Sequence, residues 1–84
     1  MASENIFDKV VALVRMNFPA CGALSAELRT ADIAGWDSFG TMQMVMDVEQ
    51  TFGIEIPITM IPQLDTLGKI VDYVAALTGS RGAA

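Results

Sequence analysis

The chain has no histidine and a single cysteine, Cys21, among its 84 residues. Without histidine, the Ser-His and Cys-His pairs that activate a nucleophile cannot form, so we expect no catalytic residues. A lone cysteine cannot make an intramolecular disulfide, and without histidine or a second cysteine a thiolate-type zinc site is excluded. We therefore expect no metal site and interpret Cys21 as a loop or packing residue.

Basic residues are also scarce, since five lysines and arginines stand against ten aspartates and glutamates, for a net charge of −5. Nucleic acid binding depends on clustered basic side chains, so a nucleic acid partner is not expected. No apolar run approaches the roughly 20 residues of a membrane-spanning helix, and the first residues lack the features of a signal peptide. We expect a monomeric, cytoplasmic protein without a membrane span.

What the chain does have is enough apolar residues, 52% of the total, for one packed core. Its length leaves no room for a second core, so we expect residues 1–84 to form a single domain with a frayed tail from about residue 79. Apolar residues at the i, i+3, i+4, i+7 spacing predict a first helix, with Ser3 as N-cap, Glu4 in its first turn and an end before Pro19. Its predicted stripe is Phe7, Val10, Val11 and Val14, widened by Ile6 and Leu13.

Residues 20–36 show no sustained period, which predicts a long loop, compatible with a short turn of helix around residues 23–28. We expect Leu24, Leu28 and Ile33 to hold this loop against the core. After the loop comes the most informative stretch, Gly-Trp-Asp-Ser-Phe at residues 35–39. Asp37 directly precedes a long apolar-periodic run and fits a helix N-cap, which makes Ser38 the first residue of a helix over 38–52. Free N–H groups at a helix start favour an incoming phosphate near the Ser38 hydroxyl.

The spacing of about 100° per residue divides this second helix into faces. The predicted buried face comprises Thr41, Met44, Val45, Val48 and Phe52. The predicted exposed apolar side chains beside the serine are Phe39, Met42 and Met46, which we interpret as partner-binding. The predicted outer surface comprises Gln43, Asp47, Glu49 and Gln50, of which the two carboxylates are also expected to meet partners.

Gly53 is suited to end the second helix, and residues 54–57 read as an extended link. Residues 58–61 predict one short helical turn cut by Pro62, in which the three large apolar side chains cannot all face inward. We expect at least one of them to be exposed, and we assign Met60 to the partner-binding set. The last helix is capped by Asp65 or Thr66, ends at Gly79, and buries Leu67, Ile70, Val71, Val74 and Leu77. The pattern as a whole predicts an all-α fold: a small four-helix bundle of three main helices and a short third one, with a long loop between helices I and II.

Residues 38–46, followed by Phe-Gly-Ile-Glu-Ile-Pro at 52–57, resemble the acyl carrier protein family, whose signature is Asp-Ser-Leu at the start of helix II. The likeness runs from residue 35 to 57 and resumes at 64–67 and 70–74. It implies that Ser38 carries 4′-phosphopantetheine, transferred from coenzyme A by a phosphopantetheinyl transferase, and that Asp37 helps to position the transferase's metal ion. The resemblance further implies a carrier rather than an enzyme, which delivers acyl groups as thioesters to acyl-loading, acyl-modifying or acyl-transfer enzymes.

Some residues depart from the family's common pattern. Phe39 stands where leucine or methionine is usual, and polar uncharged residues at 43, 50 and 51 stand where carboxylates are frequent. These departures favour a specialised lipid, fatty acid or polyketide pathway over bulk fatty acid synthesis. Residues 40–43 also resemble D-alanyl carrier proteins, so an aminoacyl or peptidyl carrier stays open. A hypothesis from another class is a helical interaction module without a prosthetic group, docking through Phe39, Met42 and Met46.

Overall fold

The computed structural model describes residues 5–78, and its regular elements are helices. The α-helices are α1 (Ile6–Asn17), α2 (Ser38–Phe52) and α3 (Leu67–Thr78), and two short 3-10 helices are η1 (Thr30–Asp32) and η2 (Ile58–Gln63). Within residues 5–78 there is no strand, and one isolated antiparallel bridge joins Arg29 to Thr66. The predicted all-α bundle with a long loop after its first helix is confirmed, and η2 is the predicted short helix.

The start of α1 differs from the prediction. Asn5 is the N-cap, and its Oδ1 accepts a hydrogen bond from the backbone N–H of Asp8 at 2.8 Å. Ser3 is therefore not the cap, because Asn5 stands directly before the apolar run and its side-chain oxygen caps as well as a hydroxyl does. Ser3 and Glu4 lie outside the described residues. The helix ends at Asn17, before Phe18 and Pro19, as predicted.

The core lies where α1 meets α2 and α3, since α1 packs against both. The buried apolar residues are Val10, Val14, Phe18, Ile33, Met44, Val48, Ile56, Leu67, Ile70 and Val74. Five residues predicted as buried are less so. Thr41, Val45 and Phe52 of α2 and Val71 of α3 are half-buried, and Leu77 of α3 is 49% exposed. Leu77 lies on the last turn of α3, one turn beyond Val74, where it takes no part in the core cluster.

The connection from α1 to α2 is held by backbone hydrogen bonds to the start of α3. The N–H of Thr30 donates to the carbonyl of Asp65 at 3.0 Å, and the N–H of Leu67 donates to the carbonyl of Leu28 at 3.1 Å. Residues 23–28 form no helix, but one turn closes there with a hydrogen bond from Leu28 N to the carbonyl of Ser25 at 3.2 Å, and the short helix of this loop is η1. Leu24, Leu28 and Ile33 contact the core, as predicted.

Pro62 lies inside η2 and does not end it. The helix consists of two successive turns, closed by hydrogen bonds from Met60 N to Pro57 O at 2.9 Å and from Leu64 N to Ile61 O at 3.1 Å. Pro62 is the second residue of the latter turn, a position that proline favours because its own N–H is not needed there. The predicted stop at Pro62 is therefore wrong. Thr66 caps α3, and its Oγ1 accepts from Lys69 N at 3.2 Å; the predicted helix end at Gly79 lies outside the described residues.

Candidate functional site

The site begins with the cap of α2. Asp37 has the extended backbone of an N-cap residue, and its Oδ1 accepts a hydrogen bond from Gly40 N at 2.8 Å. Its carbonyl accepts the first intrahelical bond, from Thr41 N at 2.8 Å. The predicted cap and the predicted bounds of the helix are confirmed, and the left-handed Gly53 (φ 67°) ends the helix as expected. Asp37 thereby fixes Ser38 as the first helical residue.

Ser38 is exposed, and within residues 5–78 its hydroxyl takes part in no hydrogen bond. The first-turn N–H groups and the positive end of the helix dipole lie beside it. These conditions fit a phosphodiester at Ser38 Oγ, since a large enzyme can reach the hydroxyl and the helix start stabilises the negative charge. Asp37 Oδ2, which binds nothing among the described residues, is open to a cation brought by a partner.

Gly40 brings the start of α2 close to the end of α1, a role that the sequence analysis missed. A Cβ on Gly40 would lie 2.6 Å from the carbonyl oxygen of Gly35 and 2.7 Å from Cε1 of Phe18, so no larger residue fits without a shift. The buried line of α2 accordingly runs through Gly40, Met44 and Val48, at i, i+4, i+8. A glycine within a helix lowers helix stability by about 1 kcal/mol relative to alanine. A glycine inside the predicted helix was therefore the signal in the sequence that this position has a packing role.

The apolar side chains predicted to surround the serine are exposed. Phe39 is 76% exposed, Met42 43% and Met46 48%. Ile58 of η2, 74% exposed, joins them, which satisfies the expectation that one apolar residue of that segment faces solvent. We call Phe39, Met42, Met46 and Ile58 the apolar patch.

Met60 does not join the patch. It is half-buried and lines a separate groove with Asp65, Lys69 and Tyr73. A 3-10 helix has three residues per turn, so side chains at i and i+3 share one side. Ile58 and Ile61 therefore both line the groove at Ser38, and Met60 lies away from it. The structure does not bring Met60 and Ser38 together, and its partner-binding role stays a prediction.

Asp47 and Glu49 are half-buried, so their placement on the outer surface is corrected. Asp47 Oδ2 accepts a hydrogen bond from Asn17 Nδ2 at 2.8 Å, and Glu49 Oε2 accepts one from Ile56 N at 2.8 Å. Both carboxylates therefore tie α2 to neighbouring segments. Their contact with partners remains a prediction.

A groove and a cavity near Ser38 share part of their lining. The Ser38 groove is lined by Trp36, Asp37, Ser38, Thr41, Met42, Ile58, Ile61 and Pro62. The inner cavity, of about 270 Å³, lies behind α2 and is lined mainly by apolar residues, among them Met44, Val45, Val48, Ile56 and Ile70. Trp36, Thr41, Ile61 and Pro62 line both. We call these four the mouth residues, because they line both spaces.

One charged residue lies at the edge of the inner cavity. Asp65 Oδ1 forms an ion pair with Lys69 Nζ at 2.9 Å. The hydrogen bond from Lys69 lowers the pKa of Asp65 below its ordinary value, so this carboxylate stays ionised and paired at neutral pH. Lys69 thus balances the charge of this carboxylate, and the other residues that line the cavity are uncharged.

The described residues contain no cluster of three or more acidic, cysteine or histidine side chains able to hold a metal ion. Among the same residues, no helix combines the length and the hydropathy that crossing a membrane requires.

Comparison with known proteins gives a consistent result. A family model described as the phosphopantetheine attachment site matches residues 24–74, more than half of the chain. An acyl carrier protein of Lactobacillus johnsonii is 32% identical over 75 residues, which cover 88% of this chain and 94% of that protein. An acyl carrier protein of Thermotoga maritima is 31% identical over 81 residues, which cover 94% of this chain and 100% of that protein. Such proteins carry groups for enzymes, on a covalently attached 4′-phosphopantetheine. The chain belongs to the acyl carrier protein family, with 4′-phosphopantetheine as its covalent prosthetic group.

Proposed function

We propose that this chain carries apolar acyl groups as thioesters on 4′-phosphopantetheine attached to Ser38 Oγ, and delivers them to partner enzymes. The observation that carries the proposal is the exposed, unbonded Ser38 hydroxyl at a capped helix start, beside the mouth of an apolar cavity. When bound, the prosthetic group supplies a flexible arm with a terminal thiol that forms the thioester.

The chain's own residues have distinct tasks in this proposal. Ser38 supplies the oxygen that forms the new bond to phosphorus as coenzyme A loses its nucleotide part. Asp37 holds the helix start through Oδ1, and Oδ2 helps to orient the metal ion of the transferase. The N–H groups of the first turn favour the phosphodiester charge. The reactions of the cargo belong to the partner enzymes.

The inner cavity supports an aliphatic cargo. An apolar cavity of about 150 Å³ is large enough to bind benzene, so about 270 Å³ accommodates a longer hydrocarbon chain. A charged amino group would lose its hydration in such a space without gaining a partner, so an aminoacyl cargo would make no use of it. We therefore favour a specialised lipid, fatty acid or polyketide pathway over an aminoacyl or peptidyl role.

The proposed partners are a phosphopantetheinyl transferase and enzymes that load, modify or transfer acyl groups. Both must reach Ser38, and the apolar patch lies around it, with Phe39 and Ile58 each about three-quarters exposed. Asp47 and Glu49 are hydrogen-bonded within the fold and so are less available to basic side chains. We propose that partners bind the patch mainly by apolar contact. A cytoplasmic location remains part of this proposal.

The test is covalent modification. Incubation with coenzyme A, Mg²⁺ and a broad-specificity transferase should add one phosphopantetheine mass to the full chain and none to Ser38→Ala. Ser25→Ala, which removes an exposed serine outside the helices, is the matched control and should be modified like the wild type. If several transferases leave the wild type unmodified, the carrier function is contradicted and an interaction module without a prosthetic group becomes the better account.

A further inference from the structure

Trp36 is the largest of the four mouth residues. It stands two positions before Ser38 and lines both the Ser38 groove and the inner cavity. Its side chain is half-buried and packs against the core cluster. An apolar group passing from the serine side to the cavity must therefore pass beside the indole.

One side of the indole has a fixed support. The Trp36 ring stacks on the ring of Phe18, with centroids 5.0 Å apart and an interplanar angle of 30°. Phe18 is only 4% exposed, and its ring is so close to the backbone at Gly35 and Gly40 that a Cβ at Gly40 would lie 2.7 Å from it. Because the Phe18 ring is buried and stacked on the indole, it limits movement of the indole in that direction.

The opposite side of the mouth is less firmly held. Ile61 and Pro62 belong to η2, which contributes no buried residue to the core. The indole and these two side chains line both the groove and the cavity, so the size of residue 36 bears on which groups can move from one to the other. A thin, unbranched chain can lie along a flat ring, whereas a branch next to the carbonyl makes the group wider beside the ring.

We propose that Trp36 is a specificity-determining residue that admits unbranched aliphatic acyl chains to the inner cavity and excludes branched ones. The inference rests on the proposed function, because it concerns cargo held at Ser38. It adds a selection step within the carrier itself, after loading and before the enzymes that modify or transfer the cargo.

The test uses the full chain loaded with three cargoes: acetyl, octanoyl and 2-propylpentanoyl, the last two of identical composition. A chain that enters the cavity stabilises the folded state, whereas one left in solvent does not. We expect the Tm of the octanoyl form to exceed that of the acetyl form by at least about 4 °C, with the 2-propylpentanoyl form close to acetyl. The emission of Trp36, the single tryptophan, should shift to shorter wavelength for octanoyl alone.

Variants separate selection from a general effect on stability. In Trp36→Ala, the Tm of the 2-propylpentanoyl form should exceed that of the acetyl form by as much as the Tm of the octanoyl form does. The milder variants Trp36→Phe and Ile61→Ala should show part of this increase. A merely structural role for Trp36 would lower the Tm of all three loaded forms equally and leave their differences unchanged. Met16→Ala is the control, since Met16 is an exposed apolar residue of α1 that lines neither the groove nor the cavity and lies outside the apolar patch.

Equal Tm values for the octanoyl and 2-propylpentanoyl forms of the wild type would overturn the inference. So would an unchanged Tm difference between these two forms in Trp36→Phe and Ile61→Ala, or a loss of that difference in Met16→Ala. These results leave the carrier function intact, because all three adducts have then formed at Ser38. Failure to form any adduct would instead overturn the proposed function, and the inference with it.

Discussion

Oδ1 of Asp37 accepts a hydrogen bond from the backbone nitrogen of Gly40 at 2.8 Å, on either side of Ser38 and Phe39 in the chain. It fixes the residue that ends the loop to the first turn of α2, with Ser38 exposed between them. Gly40 in turn packs without a side chain against Phe18, the residue that supports Trp36. The position of Ser38 and the position of the mouth residues therefore depend on the same few residues.

Asp37→Ala should destabilise the fold by about 1 kcal/mol, because the first turn of α2 loses its cap. Asp37→Asn should retain most of that stability, since an amide oxygen also caps, but it should slow modification because it removes the charge available to the transferase's metal ion. Urea denaturation and the rate of phosphopantetheine transfer measure the two effects. If the Asp37→Asn protein is modified as fast as the wild type, the metal-positioning role of Asp37 is wrong.

Gly40→Ala should lower stability even though alanine is the better helix former by about 1 kcal/mol. The new methyl group would meet backbone and ring atoms closer than 3 Å, and overpacking of this kind costs about 1–3 kcal/mol. Thr51→Ala, at an exposed position of the same helix, serves as control and should change the free energy of unfolding by less than about 0.5 kcal/mol. A more stable Gly40→Ala protein would show that α2 and Phe18 are not in close contact.

Met44→Ala should cost about 2–5 kcal/mol, because Met44 is 1% exposed at the centre of the core. Met46→Ala, on the same helix with the same side chain removed, should cost less than about 1 kcal/mol, because Met46 is 48% exposed. The midpoints of urea denaturation give both values. Similar losses at the two positions would mean that α2 is rotated from the orientation described above.

The local features of this chain could be predicted from its sequence, whereas the long-range contacts could not. Asp37 and Gly53 are recognisable as helix ends because capping depends on the adjacent backbone, and Val10, Val14 and Val48 follow from helical periodicity. Asp47 and Glu49 look like surface residues by that same periodicity. Their partners, Asn17 and the backbone of Ile56, come from other segments, and no local pattern reveals them.

Two site features show the same limit. Met60 was predicted to lie among the partner-binding residues near Ser38. The spacing of a short apolar segment does not reveal whether the segment forms an α-helix or a 3-10 helix, and the two helices place the Met60 side chain differently. The inner cavity was not predicted either, since it arises from residues of α2, η2 and the loop that meet only in the folded protein. The proposed role of Trp36 depends on this cavity, so the sequence alone did not predict it either.

Partner binding should depend more on the apolar patch than on charge. Ile58→Glu and Met42→Glu should weaken the binding of the carrier to a phosphopantetheinyl transferase at low and at near-molar salt, whereas Asp47→Lys should have little effect. Salt screens exposed charges and not apolar burial, so wild-type affinity should vary little between these conditions. Met16→Glu, at an exposed apolar residue of α1 outside the patch, is the matched control. Affinity that collapses in salt and with Asp47→Lys, but not with Ile58→Glu, would contradict apolar docking.

The central claim is that Ser38 Oγ bears the prosthetic group, and fragmentation mass spectrometry of the modified protein tests it most directly. The account predicts a single phosphopantetheine on the peptide containing Ser38, with fragment masses that place it on that residue. It also predicts that Ser38→Ala stays unmodified while its free energy of unfolding remains within about 0.5 kcal/mol of the wild type, because the exposed hydroxyl holds nothing in place. A phosphopantetheine located on any other residue, or retained in a folded Ser38→Ala protein, would contradict the account.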